Sequence, residues 1–175
     1  MSESAFKEKV DRCKKENLPD LIDNAAWDHA LYLFNSLLDV AADKKEKIRI
    51  ISGTLNDKFY GKLLEKFKKA KRAGSEIEVL VTSPDANLDD NTFAKWVDTN
   101  GKLIHAKDES IPVPHMLVIG EQGQRFRLET DHSQTKAVAS FNNPYMGEIV
   151  LDMYKNAKKM LLGREGMGST AAMSG

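Results

Sequence analysis

Apolar residues recur at three- and four-residue steps over several stretches of the chain. Over residues 3–16, Phe6, Val10 and Cys13 stand at helical spacing among lysines and acids, until Asn17 and Pro19 interrupt the pattern. A second helix is expected to begin near Asp23 or Asn24. Its face of Trp27, Ala30, Leu31, Phe34, Leu37, Leu38 and Ala41 is broad enough that it must pack on something. The Trp27 and Phe34 stripe is therefore assigned to the core or to a subunit interface.

The pattern then switches to short β-branched runs. Ile48-Arg49-Ile50-Ile51 is bounded by Ser52-Gly53, and Ile77–Val81 ends at Ser83-Pro84, so both read as strands. Between them Asn56 or Asp57 can cap a helix with Tyr60, Leu63, Leu64, Phe67 and Ala70 on its apolar face, and Gly74 suits its left-handed end. Strand, helix and strand in this order predict a βαβ unit with parallel strands. A helix over about residues 90–99, carrying Phe93, Trp96 and Val97, and a strand at Lys102–His105 repeat the rhythm.

Beyond Pro112 and Pro114 the character changes. His115–Ile119 and Arg125–Thr130, separated by Gly120–Gln124, predict a β-hairpin. Ala137–Phe141 is a closing strand, and Pro144–Met160 a last helix. Gly163–Gly175, rich in Gly, Ser and Ala, is expected to be a mobile tail.

Composition narrows the class. At 175 residues and 41% hydrophobic positions, the chain suits one domain with a substantial core. Twenty-six basic residues balance twenty-six acidic ones, so attraction to a polyanion has to come from local clustering. The single Cys13 cannot form an internal disulfide, and the opening residues lack the apolar core of a signal peptide. The most hydrophobic window, around Ala25–Ala42, contains Asp28, His29 and Asp39, which argues against a membrane span. A cytoplasmic protein with no membrane partner is expected.

The order of elements, with a hairpin opening on histidine and then a closing strand and helix, resembles one half of the phospholipase D superfamily, especially its short single-motif members. The likeness covers about Ala25–Met160. The family signature is His-x-Lys-x4-Asp, followed later by Gly-Ser-x-Asn. Two such signatures meet across a two-fold or pseudo-two-fold interface. One histidine attacks phosphorus and the other protonates the leaving oxygen, while lysine, serine and asparagine hold phosphate oxygens. The resemblance thus implies a homodimer. Here the strand reads Pro114-His115-Met116-Leu117-Val118-Ile119-Gly120-Glu121-Gln122: the histidine matches, but Leu117 replaces the lysine and Gln122 the aspartate. In the same register Glu129-Thr130-Asp131-His132 stands where Gly-Ser-x-Asn belongs. Loss of a cation beside the phosphate costs roughly a hundredfold or more in rate. Arg125 or Arg127 is a spatial substitute, and Arg127, Thr130 and His132 are the candidate phosphate-binding residues. Ala139-Ser140-Phe141-Asn142 also resembles Gly-Ser-x-Asn, and is read as part of the closing strand.

Other charged features have plainer readings. Lys62, Lys66 and Lys69 lie in the densest basic run, a candidate phosphate-tracking surface or a solvated helix face without an interleaved aromatic platform. Asp85, Asp89 and Asp90 are read as capping a helix start. His29, His105 and His132 show no metal-ligand spacing, so no metal and no cofactor are expected. Taken together, the sequence predicts an α/β fold: a phospholipase D-like half-domain with a mixed sheet flanked by helices over residues 23–162, an N-terminal helical extension over 1–22 and a flexible tail over 163–175. The expected function is that of a catalytically degenerate homodimer binding nucleic acid or a protein. The alternative is a metal-independent phosphodiesterase or nuclease with His115 as nucleophile.

Overall fold

The computed structural model describes residues 1–171, with side chains as far as Gly163. A seven-stranded mixed sheet is flanked by five helices. In chain order these are α1 (Glu3–Glu16), β1 (Ile22–Asn24), α2 (Trp27–Lys44), β2 (Ile48–Ser52), α3 (Asp57–Ala73), β3 (Ile77–Val81), α4 (Thr92–Asn100), β4 (Lys102–His105), β5 (Met116–Ile119), β6 (Arg125–Asp131), β7 (Lys136–Ser140) and α5 (Pro144–Ala171). The strands lie in the order β1-β7-β6-β5-β2-β3-β4. Strands β2, β3 and β4 are mutually parallel, and β5 turns the sheet antiparallel against β2 before the meander through β6 and β7.

Every residue of β2, β3 and β5 is buried, because helices cover both faces of the sheet. Alternation sorts the side chains between two cores. Ile48, Ile50, Val79, Leu117 and Ile119 pack with α1 to α4 on one face. Ile51, Leu80, Met116, Val118 and Phe126 meet Val150, Leu151 and Tyr154 of α5 on the other. At the start of α5, Gly147 lies against the Gly123 backbone of the hairpin turn, where a side chain would collide with that chain.

The elements differ from expectation in four places. Helix α2 starts at Trp27 and not at residue 23 or 24, because Ile22-Asp23-Asn24 pairs with β7 as an edge strand. The expected boundary between 22 and 23 therefore falls inside β1, and Phe6, Val10 and Cys13 of α1 share the core of α2. Helix α4 begins at Thr92 with Asn91 as its cap, accepting from the Ala94 amide at 2.8 Å, so Asp89 and Asp90 do not cap it. Helix α5 runs past Met160 to Ala171, and the rest of the expected tail, residues 172–175, lies outside the described residues. Among the described residues no helix is long and apolar enough to cross a membrane.

Candidate functional site

Strand β5 is the fourth of seven and runs antiparallel to both neighbours, β2 and β6. His115, the residue just before it, therefore stands at the edge where β2 ends in Ser52 and β6 approaches its end at Glu129. The first turns of α2 and α3 rise on the same side, and a cleft of about 350 Å³ opens between them.

The loop from β2 to α3 aims a backbone amide at the histidine. Leu55 is buried in the left-handed region (φ 56°), held by its amide bond to Ser52 Oγ (3.1 Å) and by Asn91 Nδ2 donating to its carbonyl (2.6 Å). Upstream, the Gly53 amide donates to His115 Nε2 at 3.0 Å. An N–H can only donate, so Nε2 carries the lone pair and the proton of the neutral ring sits on Nδ1. That Nδ1 lies 3.0 Å from Glu129 Oε2. The other carboxylate oxygen, Oε1, lies 2.9 Å from His132 Nδ1. Glu129 thus accepts from two imidazoles whose rings meet edge to face, 4.6 Å between centroids. Burial acts to raise the Glu129 pKa, but the bonds from His115 and His132 outweigh it and hold the carboxyl below its usual range. His132 is largely exposed, with its Nε2 directed away from the bond to Glu129. It is the imidazole of the pair that keeps a ring nitrogen for a ligand.

Arg127 forms the floor. Only 8% exposed, it donates from Nε to Asn24 Oδ1 at 3.1 Å, and its guanidinium lies 5.9 Å from the centre of Phe34 while lining the cleft. Burial pulls its pKa down from the ordinary value, against the pull of Glu129 in the other direction. The register makes Arg127 the cross-strand partner of Leu117. The buried cation therefore stands beside the position where the resembled signature carries lysine, one strand over. The walls are aromatic: Trp27 contacts Phe59 edge-on at 5.9 Å, Phe59 contacts Phe34 at 5.1 Å, and Tyr60, whose hydroxyl burial pushes up to about 12, closes the back.

Of the sequence candidates, the cleft gathers His115, Arg127 and His132 but not Thr130. Thr130 is exposed and donates to the Lys136 carbonyl (3.3 Å), because it alternates to the face opposite Glu129. Ser140 pairs across from Phe126, and Asn142 donates to the Asn17 carbonyl, both toward the other end of these strands. Lys66 and Lys69 turn to Asp39 of α2 at 2.7 and 3.8 Å and so bridge two helices, with Lys69 still largely exposed. Lys62 alone of the three sits by the site, its Nζ 4.5 Å from the centre of the Trp27 ring. Trp27, 43% exposed, is therefore neither core nor remote from the lysines, and an aromatic platform exists after all. The sequence places Glu129 in the register of the second signature but does not show that it bonds both histidines, and it gives Asn24 no role in the site. Glu129 was visible as the acid two residues beyond Arg127 on the same strand face.

His115, Glu129 and His132 also form a group whose ligand atoms all lie within 4.8 Å, contrary to the expectation of no metal-ligating cluster. As its hydrogen bonds stand, the two imidazole Nδ1 atoms face Glu129, not a cation. To ligate through Nδ1, His115 would need its proton on Nε2, where the Gly53 amide already donates. The group is built as a proton-bridged acid and two imidazoles.

No protein-family model matches the chain, and no curated protein matches it. Among solved structures it is similar to TrmBL2, an archaeal chromatin protein described as having a novel mode of DNA binding, with a TM-score of 0.54 at 10% identity. The match covers 88% of this chain and 59% of the TrmBL2 chain, and it is a likeness of fold.

Proposed function

We propose that this chain is a phospholipase D-like module that binds nucleic acid at the cleft without hydrolysing it, and that it does so as a homodimer. The observation that carries the reading is the state of His115. Both of its ring nitrogens are engaged, Nδ1 by Glu129 and Nε2 by the Gly53 amide, so the attacking lone pair a phosphodiesterase needs is already taken. The cation that remains, Arg127, is fixed and buried, which suits holding an anion in place. DNA is the first polyanion to test, since TrmBL2, a protein of similar fold, is described as binding it.

The test is fluorescence anisotropy of labelled single-stranded and duplex DNA against the protein in EDTA, with gel analysis of the same mixtures. Expected are salt-sensitive binding, with affinity falling as salt rises, intact DNA, and a dimer by light scattering. Product that accumulates with the protein and disappears in His115→Ala would overturn the binding reading in favour of a phosphodiesterase.

A further inference from the structure

Two other hollows carry less. One beside the edge strand β4 is flanked by Lys102 and Asp98 and offers no buried polar group, and one at the starts of β3 and β4 has lysines that already meet Glu76 and Glu78. The exposed apolar residues Tyr145 and Ile149 on α5 have nothing beside them to say what covers them.

The cleft itself is more specific than a polyanion track. A phosphate-tracking groove is long, open and lined by flexible lysines. This one is a short, half-open cleft of about 350 Å³, near the lower limit for a site that takes a small molecule. It has room for one nucleotide and none for a duplex, whose major groove alone is about 12 Å wide. Its two ends differ in chemistry. The floor offers the buried Arg127 guanidinium, held at Nε by Asn24, and the exposed His132 lines the same cleft. The mouth offers the half-exposed Trp27 ring, braced edge-on by Phe59 and with Lys62 over one face. An anion at one end and a flat ring at the other describe a nucleoside monophosphate.

Resting on the nucleic-acid reading above, we propose that the cleft takes a single unpaired nucleotide, with its phosphate on Arg127 and His132 and its base on Trp27. The ligand is either a free mononucleotide or an unpaired residue of a strand. Glu129 fixes the orientation of His132 through Nδ1, so the ring presents Nε2 to the phosphate.

Trp27 is its own reporter. In a Trp96→Phe background the remaining tryptophan fluorescence is titrated with adenosine monophosphate, inorganic phosphate, a single-stranded oligonucleotide and a blunt duplex of the same sequence. Saturable quenching is expected with the monophosphate and the single strand. In the otherwise unaltered chain, followed by calorimetry, Trp27→Ala should weaken both by about tenfold or more while leaving inorganic phosphate binding as it was. Binding of the single strand that Trp27→Ala leaves unchanged would overturn the nucleotide site and leave a nucleic-acid surface elsewhere. Monophosphate binding without strand binding keeps the site, identifies its ligand as the free nucleotide and overturns the nucleic-acid reading instead. If no probe binds, both fall.

Discussion

Glu129 is the residue on which the cleft turns. Its carboxylate is shared by two imidazoles, and those bonds keep its pKa below the value it has in an unfolded chain, about 4.3. A carboxyl depressed by folding contributes stability that is fully present above the unfolded pKa and is lost as pH falls through the folded one. Glu129→Gln should therefore lower Tm near neutral pH by a few degrees, corresponding to about 1–2 kcal/mol. The gap between variant and parent should close as pH is taken below about 4. A gap that stays constant across thermal melts from pH 3 to 7 would contradict this. Arg127 invites the complementary change. Replacing it with an apolar side chain of similar length keeps the packing but leaves Asn24 Oδ1 without its donor, a cost of about 1–3 kcal/mol. Arg127→Met should stay folded by circular dichroism while its affinity for inorganic phosphate, read by calorimetry, drops at least tenfold, on the order of 1.4 kcal/mol.

At the scale of elements, two anchors hold α5 on the sheet. Its first turn reaches the hairpin because Gly147 has no side chain, and Gly147→Ala should cost about 1–3 kcal/mol through forced displacement, measured as a lower urea midpoint. Farther along, Glu78 of β3 accepts from Tyr154 (2.6 Å) and Lys158 (2.9 Å) and is only 4% exposed. Glu78→Gln leaves the Lys158 ammonium without its counter-charge, and a loss on the order of 3 kcal/mol is expected in the same titration. Elements of this kind were legible from the chain where period and punctuation agreed. Helix α3 starts and stops at Asn56 and Gly74 as its pattern predicts, and β5 and β6 form the expected hairpin. The failures are equally physical. Ile22-Asp23-Asn24 is too short to show a period, and it becomes a strand because β7 supplies a partner more than a hundred residues away. The cap of α4 moved to Asn91 because that side chain also bonds Leu55 in another loop.

Over the whole molecule, the candidate site was half legible. His115 could be found from its place at the head of a strand, and Arg127 and His132 from register. Trp27 could not, because its helical spacing marks it as apolar, and only the angle at which α2 meets α3 leaves its ring at the cleft mouth beside Phe59. The pairing of the lysines was hidden for the same reason. Asp39 on α2 draws Lys66 and Lys69 into ion pairs that no local pattern reveals. With balanced charge overall, binding should depend on few cations, so the slope of log affinity against log salt should be shallow, about 2 to 3. A slope near 10 in the anisotropy titration would mean that a broad basic face, and not the cleft, holds the polyanion.

The pairing of Leu117 with Arg127 reaches beyond this one cleft. A signature written along the chain records which residue follows which, whereas a ligand meets only what stands in a given place. In a sheet, neighbouring strands supply neighbouring places, so a charge can vanish from one strand and be supplied by the next with the site hardly altered. To a reader of linear motifs such a chain looks stripped of its chemistry. To a phosphate, Arg127 offers a positive charge one strand aside from the position such a motif would name.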